Sequence, residues 1–148
     1  MIYKGFNFRL SDFQCSLGIS QLKKIKSFLN YRKKIADIYD RNFKNLSKID
    51  ILEKKQKYIS SNHLYIIRLK KNNLRKKNKF IKFMLKNNII LQYHYIPIYN
   101  FKIFKGKMIN ESSKKYYNEA ISLPIYYNLP IKKVNYIIKK IKNFFNDK

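Results

Sequence analysis

Apolar positions along the chain change their period twice, and those changes divide it into elements. From Phe13 onward they recur at helical spacing: Phe13, Leu17, Leu22, Ile25 and Leu29, then Ile35, Ile38, Tyr39 and Phe43. Residues 12 to 46 therefore predict one long helix or two in succession. Ser11-Asp12-Phe13-Gln14 supplies its start. The Ser11 hydroxyl can accept from the amide three residues on, and Gln14 can reach back to the Ser11 amide. Asp12 lies in the first turn, where the helix dipole favours an anion. Gly18 weakens a helix interior by about 1 kcal/mol relative to alanine, so close packing of another backbone is expected there.

Beyond residue 45 the pattern shortens. Ile49-Asp50-Ile51-Leu52 predicts a short strand or turn within a polar, lysine-rich stretch. His63 to Leu69 has the aromatic and β-branched content of a buried strand. Lys70 to Lys77 reads as a basic loop leading into a helix whose apolar side is Phe80, Phe83, Met84 and Leu85. Ile89 to Ile96 predicts a second strand, closed by Pro97. Residues 98 to 111 are irregular, aromatic and basic, with Gly106 as a turn. Ser112 to Ala120 predicts a short helix, and Ile121 to Tyr126 an extended segment broken by Pro124. Pro130 opens a last amphipathic helix carrying Val134, Ile137, Ile138, Ile141, Phe144 and Phe145. Strands alternate with helices after residue 60, which predicts a small α/β or α+β layer against the N-terminal helix.

Composition narrows the function classes. A length of 148 residues suits one domain with one core, and 45% hydrophobic residues exclude a disordered chain. No apolar run approaches the roughly 18 residues that span a bilayer, and the first residues lack a signal-peptide core. A cytoplasmic location is the expectation. A single cysteine, Cys15, excludes an internal disulfide and a multi-cysteine zinc site. The formal charge of +26 would suit a nucleic-acid binder, but only five of the 34 basic residues are arginine. Bidentate phosphate and base contacts favour arginine, and here the lysines are spread over nearly every segment. That distribution reads as solvated surface. A lysine-rich nucleic-acid-binding domain, with Tyr and Phe to stack on bases, remains the alternative.

The chemistry is carried by an ordered set of short motifs. The set begins with Gly5-Phe6-Asn7-Phe8-Arg9, Asp12 and Gln14, then Leu17-Gly18 and Gln21-Leu22, then Tyr31-Arg32-Lys33-Lys34-Ile35-Ala36 with Tyr39. It continues with His63-Leu64-Tyr65 and Arg68, His94-Tyr95-Ile96-Pro97, Tyr116-Tyr117 and Ser122-Leu123-Pro124. Together they resemble the C-terminal part of the DegT/StrS-type nucleotide-sugar aminotransferases. The wording of residues 5 to 12 is most similar to the branch acting on 4-keto-6-deoxy-N-acetylhexosamine nucleotides. The resemblance implies an α/β fold: the small C-terminal domain and connecting helix of a fold-type-I, aspartate aminotransferase-like enzyme. Residues 1–46 would be the tail of the large domain and the connecting helix, and residues 47–148 the small α+β domain.

The resemblance also implies the cofactor, pyridoxal phosphate (PLP), and transfer of an amino group, usually from glutamate, to a keto-sugar nucleotide. Such enzymes are typically homodimers. Asn7 matches an asparagine that reaches the cofactor phosphate of the neighbouring subunit, and Arg9 is the adjacent arginine. Read from residue type alone, Asn7 serves a turn and Arg9 is a surface charge. His94 matches a histidine bordering the substrate pocket; by itself it is a packed or surface residue. Tyr95 alternates to the opposite face and is expected in the core. Tyr99 stands where many relatives carry a second histidine, which leaves the substrate's detail open. Phe101, with Phe104, would wall the sugar site or simply pack.

No lysine follows a Ser/Thr-rich strand in the setting a Schiff base needs, and the chain has only three glycines, at 5, 18 and 106. There is no Ser-His-Asp set and no paired carboxylates among eight acids. No catalytic residue and no metal site are assigned. The expectation is a C-terminal portion separated from its catalytic half by a split, frameshifted or truncated gene, or an incomplete gene call. By itself it would neither bind PLP covalently nor transaminate. Its partners would be the missing half or an intact aminotransferase subunit, on which an inactive remnant could also dock.

Overall fold

The computed structural model describes residues 5, 6, 8–53, 59–70, 74–104 and 110–146. Helix α1 spans Asp12–Phe43 as one uninterrupted helix of 32 residues, about 48 Å long. Its start is the predicted capping box: the Ser11 hydroxyl accepts from the Gln14 amide at 3.4 Å, and the Ser11 amide donates to Gln14 Oε1 at 2.9 Å. Strand β1 (Ile49–Ile51), β2 (Tyr65–Leu69), helix α2 (Leu74–Lys86) and strand β3 (Gln92–Tyr93) follow. Two 3-10 turns, Ile98–Asn100 and Lys102–Phe104, lead to α3 (Glu111–Glu119), β4 (Ala120–Leu123) and α4 (Ile131–Asn146). The four strands form one antiparallel sheet in the order β1-β2-β4-β3.

Pairing register explains which side chains are buried. Tyr65 lies opposite Leu123, Ile67 opposite Ile121, and Leu69 opposite Ile49. These alternate positions share one face of the sheet. They join Ile35, Tyr39 and Phe43 of α1, Phe80 and Met84 of α2, and Val134, Ile138 and Ile141 of α4 in a single core. Two asparagines in left-handed conformation shape the connections, a conformation asparagine tolerates better than most residues. Asn88 (φ 59°) ends α2, with the Ile89 amide turned back to the Met84 carbonyl at 3.0 Å. Asn128 (φ 65°) redirects the chain just before α4, whose first turn bonds back to the Pro130 carbonyl.

Only the second half of α1 belongs to that core. Ile35, Ala36, Tyr39 and Phe43 are fully buried. Three side chains on the same stretch donate to backbone carbonyls far along the chain. Tyr31 reaches Leu129 at 3.0 Å, and Tyr39 reaches Pro124 at 2.9 Å. Arg32 Nη1 reaches His63 at 2.9 Å, Ile125 at 3.1 Å and Asn62 at 3.4 Å. The first half has no such cover: Phe13, Leu17, Leu22, Ile25 and Leu29 are all exposed. The close approach expected at Gly18 is absent among the described residues, where a Cβ would meet nothing within 4 Å.

Several sequence expectations need correction. The strand expected over Ile89–Ile96 pairs only at Gln92 and Tyr93. The left-handed turn at Asn88 and the edge position leave Ile90 and Tyr95 each 74% exposed, so Tyr95 is not in the core. Helix α2 begins at Leu74, inside the stretch read as a basic loop, and buries Lys77 completely. The turn assigned to Gly106 lies outside the described residues. No helix among the described residues is long and apolar enough to cross a membrane.

The carbonyl-directed side chains of α1 make a direct prediction. Arg32→Met should lower stability by about 2 kcal/mol and Tyr39→Phe by about 1 kcal/mol, because each strands carbonyls that lose their donor. Urea denaturation of both variants against wild type measures this.

Candidate functional site

Two neighbouring features hold most of the chemistry of this domain. The first is a cleft of about 690 Å³ between the end of α2, strand β4 and the start of α4. Its walls are apolar, among them Ile89, Leu123 and Ile137, and its polar groups include Gln92, Ser122 and Lys133. That size and mixture match small-molecule sites in general. The second is a buried polar cluster beside it, joined through Ser122.

Ser122 lies opposite Gln92 in the sheet and is 3% exposed. Its hydroxyl is hydrogen-bonded to Nε2 of His94, itself 4% exposed. Burial, and then the nearby Lys77 ammonium, push the His94 pKa below its ordinary value. The ring is therefore neutral at pH 7. Lys77 is the one fully buried lysine among the described residues. It donates from Nζ to the Tyr117 carbonyl, and Nζ lies 4.7 Å from the Tyr93 ring centre and 4.5 Å from that of Tyr117. Tyr93 in turn donates to Asn78 Oδ1 at 2.9 Å. Burial lowers the Lys77 pKa to about 8, so the desolvation cost of the ammonium exceeds what the rings and carbonyl return.

The residues singled out in the sequence are not gathered at one point. Arg9 is exposed and precedes the uncovered end of α1, which begins at Asp12. Asn7 lies outside the described residues. His94 is turned inward onto Ser122 and does not line the cleft. Tyr99 is half-buried, its hydroxyl 3.4 Å from the Asn110 carbonyl, and Phe101 is half exposed. In the sequence Ser122 stands only as part of the Ser122-Leu123-Pro124 motif, and Lys77 as the end of a basic loop. Local alternation does not mark Ser122, because all four residues of its strand are buried, and nothing local marks Lys77, because its cover comes from Tyr117, 40 residues away.

The described residues do not by themselves make a site for PLP. The one fully buried lysine among the described residues is held between two rings and does not line the cleft. Arg9 is the one exposed cation among the residues assigned to the phosphate that the structure describes.

Comparison with known proteins explains this partial set. The family model of the DegT/DnrJ/EryC1/StrS aminotransferases matches residues 2–142. The chain belongs to this family. It is 32% identical over 140 residues to a UDP-4-amino-4,6-dideoxy-N-acetyl-beta-L-altrosamine transaminase of Campylobacter jejuni, covering 93% of this chain and 37% of that protein. The structure superposes on a Helicobacter pylori aminotransferase involved in the biosynthesis of pseudoaminic acid, with TM-score 0.88 and 33% identity. That match covers 97% of this chain and 40% of the other. A Streptococcus pneumoniae sugar aminotransferase solved in its PLP form gives TM-score 0.83 and 31% identity, over 96% of this chain and 37% of that one. The chain thus spans about two fifths of the length of these relatives. Its fold is the corresponding part of a PLP aminotransferase, in agreement with the fold class expected from the sequence.

Lys77 yields a pH prediction. Its folded pKa, about 8, is below its ordinary 10.5, so between those values the unfolded chain holds the proton and the folded chain does not. Stability should rise with pH across that window, by up to about 3 kcal/mol, and the gain should be absent below pH 8. Lys77→Met should flatten that rise while leaving the part due to the other lysines. Parallel denaturation series of the two proteins from pH 7 to about 11 read the difference.

Proposed function

We propose that this chain is the C-terminal portion of a PLP-dependent aminotransferase that moves an amino group, from glutamate, onto a keto-sugar nucleotide. The observation that carries the reading is extent: the family match spans residues 2–142, and 97% of the chain superposes on a sugar aminotransferase at TM-score 0.88. A basic surface alone would not require the fold to follow that path. The family and the branch named by the relatives supply the substrate class, a nucleotide-linked sugar of surface-glycan synthesis.

In this reading the chain's residues bind and orient, and the reacting groups belong to the part of the fold outside it. Asn7 and Arg9, which precede α1 in the sequence, reach the cofactor phosphate across the subunit interface of a cytoplasmic homodimer. A guanidinium there supplies a charge-assisted, two-pronged donor. Tyr99, on the first 3-10 turn, and Phe101, between the two turns, present an amphipathic face to the sugar. His94 acts from behind them as a positioning residue through Ser122, rather than as a direct sugar contact. The isolated chain neither holds PLP covalently nor transaminates.

A chimera tests this. The matched 40% of the Helicobacter pylori enzyme is replaced by this chain, and amino transfer to its keto-sugar nucleotide is followed. The expected result is a folded, PLP-binding dimer with measurable turnover, reduced when Arg9 is changed to alanine. A chimera that folds and binds PLP but never turns over would contradict the reading, as would transamination by the isolated chain.

A further inference from the structure

Between β3 and β4 the chain makes a long excursion over the two 3-10 turns and back through α3. Pro97 is the last buried residue before the turns, and the next buried one among the described residues is Glu119. The Tyr99 hydroxyl meets the Asn110 carbonyl at 3.4 Å, which ties the excursion to itself rather than to the core. With no buried side chain to seat the turns, their position depends on the two feet. One foot is at Tyr93 and His94, leaving β3; the other is at Tyr117 and Glu119, entering β4.

Three contacts hold these feet. His94 Nε2 meets the Ser122 hydroxyl on β4, and Arg68 Nε on β2 donates to Glu119 at 3.1 Å. Each secures one foot. Lys77 touches both: its ammonium lies 4.7 Å from the Tyr93 ring centre, 4.5 Å from that of Tyr117, and donates to the Tyr117 carbonyl. That carbonyl lies in the last turn of α3, where carbonyls lack partners within the helix and the dipole favours a cation. The Ala120 amide closes on the Tyr116 carbonyl, and Lys77 supplies a donor to the next one. Helix α2, which carries Lys77, is itself anchored in the core by Phe80 and Met84. Burying an ammonium is costly, and an apolar chain of like length would fill the same space without that cost. What the lysine adds is a donor and a charge where the two feet meet.

We propose that Lys77 is a positioning residue that joins both feet of this excursion to the core, and so fixes where Tyr99 and Phe101 stand. The consequence for the sugar rests on the proposed sugar-facing role of those two residues. The joint itself rests on contacts within this chain.

Hydrogen exchange on the intact chain tests the joint. The probes are the amides of Asn100, Phe101 and Phe104, bonded within the turns, and of Lys114 in α3. Amides at residues 35–43 serve as the reference for global unfolding. Lys77→Met should speed exchange at the probes at least about tenfold relative to that reference. Lys77→Arg should restore it, because a guanidinium keeps both donor and charge and stacks on aromatic rings. A lysine that merely filled space would give the opposite order, since methionine fits its volume and arginine exceeds it. Tyr93→Leu removes one ring at a residue 39% exposed, without opening the core, and should speed the same amides. Unchanged exchange in both Lys77→Met and Tyr93→Leu, or an arginine variant as loose as the methionine one, would overturn the proposal.

In the chimera, Lys77→Met should raise KM for the keto-sugar nucleotide at least about fivefold and change kcat less than about twofold, with arginine again restoring it. A loss of kcat at unchanged KM would overturn the positioning role. The exchange assay contains neither cofactor nor substrate. A chimera that never turns over therefore contradicts the enzyme assignment and leaves the joint standing, whereas unchanged exchange beside an active chimera sinks the joint alone.

Discussion

Everything else in this domain depends on the grip that the second half of α1 keeps on the sheet layer. Four of its side chains are fully buried, and Tyr31, Arg32 and Tyr39 donate to carbonyls in two separate loops, the one before β2 and the one between β4 and α4. Those carbonyls belong to irregular backbone with no partner in the sheet, so the side chains complete hydrogen bonding that the strands leave open. The arrangement fixes the direction of a rod whose other half projects free of the core. It turns a small α+β unit into one with a long arm, and the arm carries the segment of Arg9 at its tip.

The polar cluster around Ser122 shows a second consequence of that packing. With one face of the sheet closed by helices, a lysine on α2 is trapped against the end of α3, and the ammonium finds a carbonyl and two rings. Its charge and the surrounding burial keep His94 neutral. A neutral imidazole held by a serine is a fixed dipole and not a mobile charge. That suits a residue that holds its surroundings in place better than one that transfers protons.

What could be read in the sequence followed from local rules. The capping box at Ser11 and Gln14 involves neighbours three residues apart, and its two bonds are present as expected. The spacing of Val134, Ile138 and Ile141 gave the last helix. Strand β3 was overestimated because Ile89 to Ile96 has strand composition throughout, while its pairing is limited by an asparagine turn and an edge position that no local rule reveals. Lys77 and Arg32 were illegible for the opposite reason. Long cationic side chains default to solvent, and only contacts 30 to 93 residues away in sequence decide otherwise for these two. The family was legible through the order of several weak motifs, yet the residues they mark are not assembled here.

The central claim is that α1 is held by one half and left uncovered along the other. Native-state hydrogen exchange on the isolated chain tests it most directly. Amides at residues 35–43, buried in the core, should exchange only with global unfolding. Those at residues 16–28 should exchange orders of magnitude faster, because a helix without tertiary cover is marginal in water. Uniform, core-like protection along the whole of α1 would contradict it, since the first half would then have a cover that the fold does not supply.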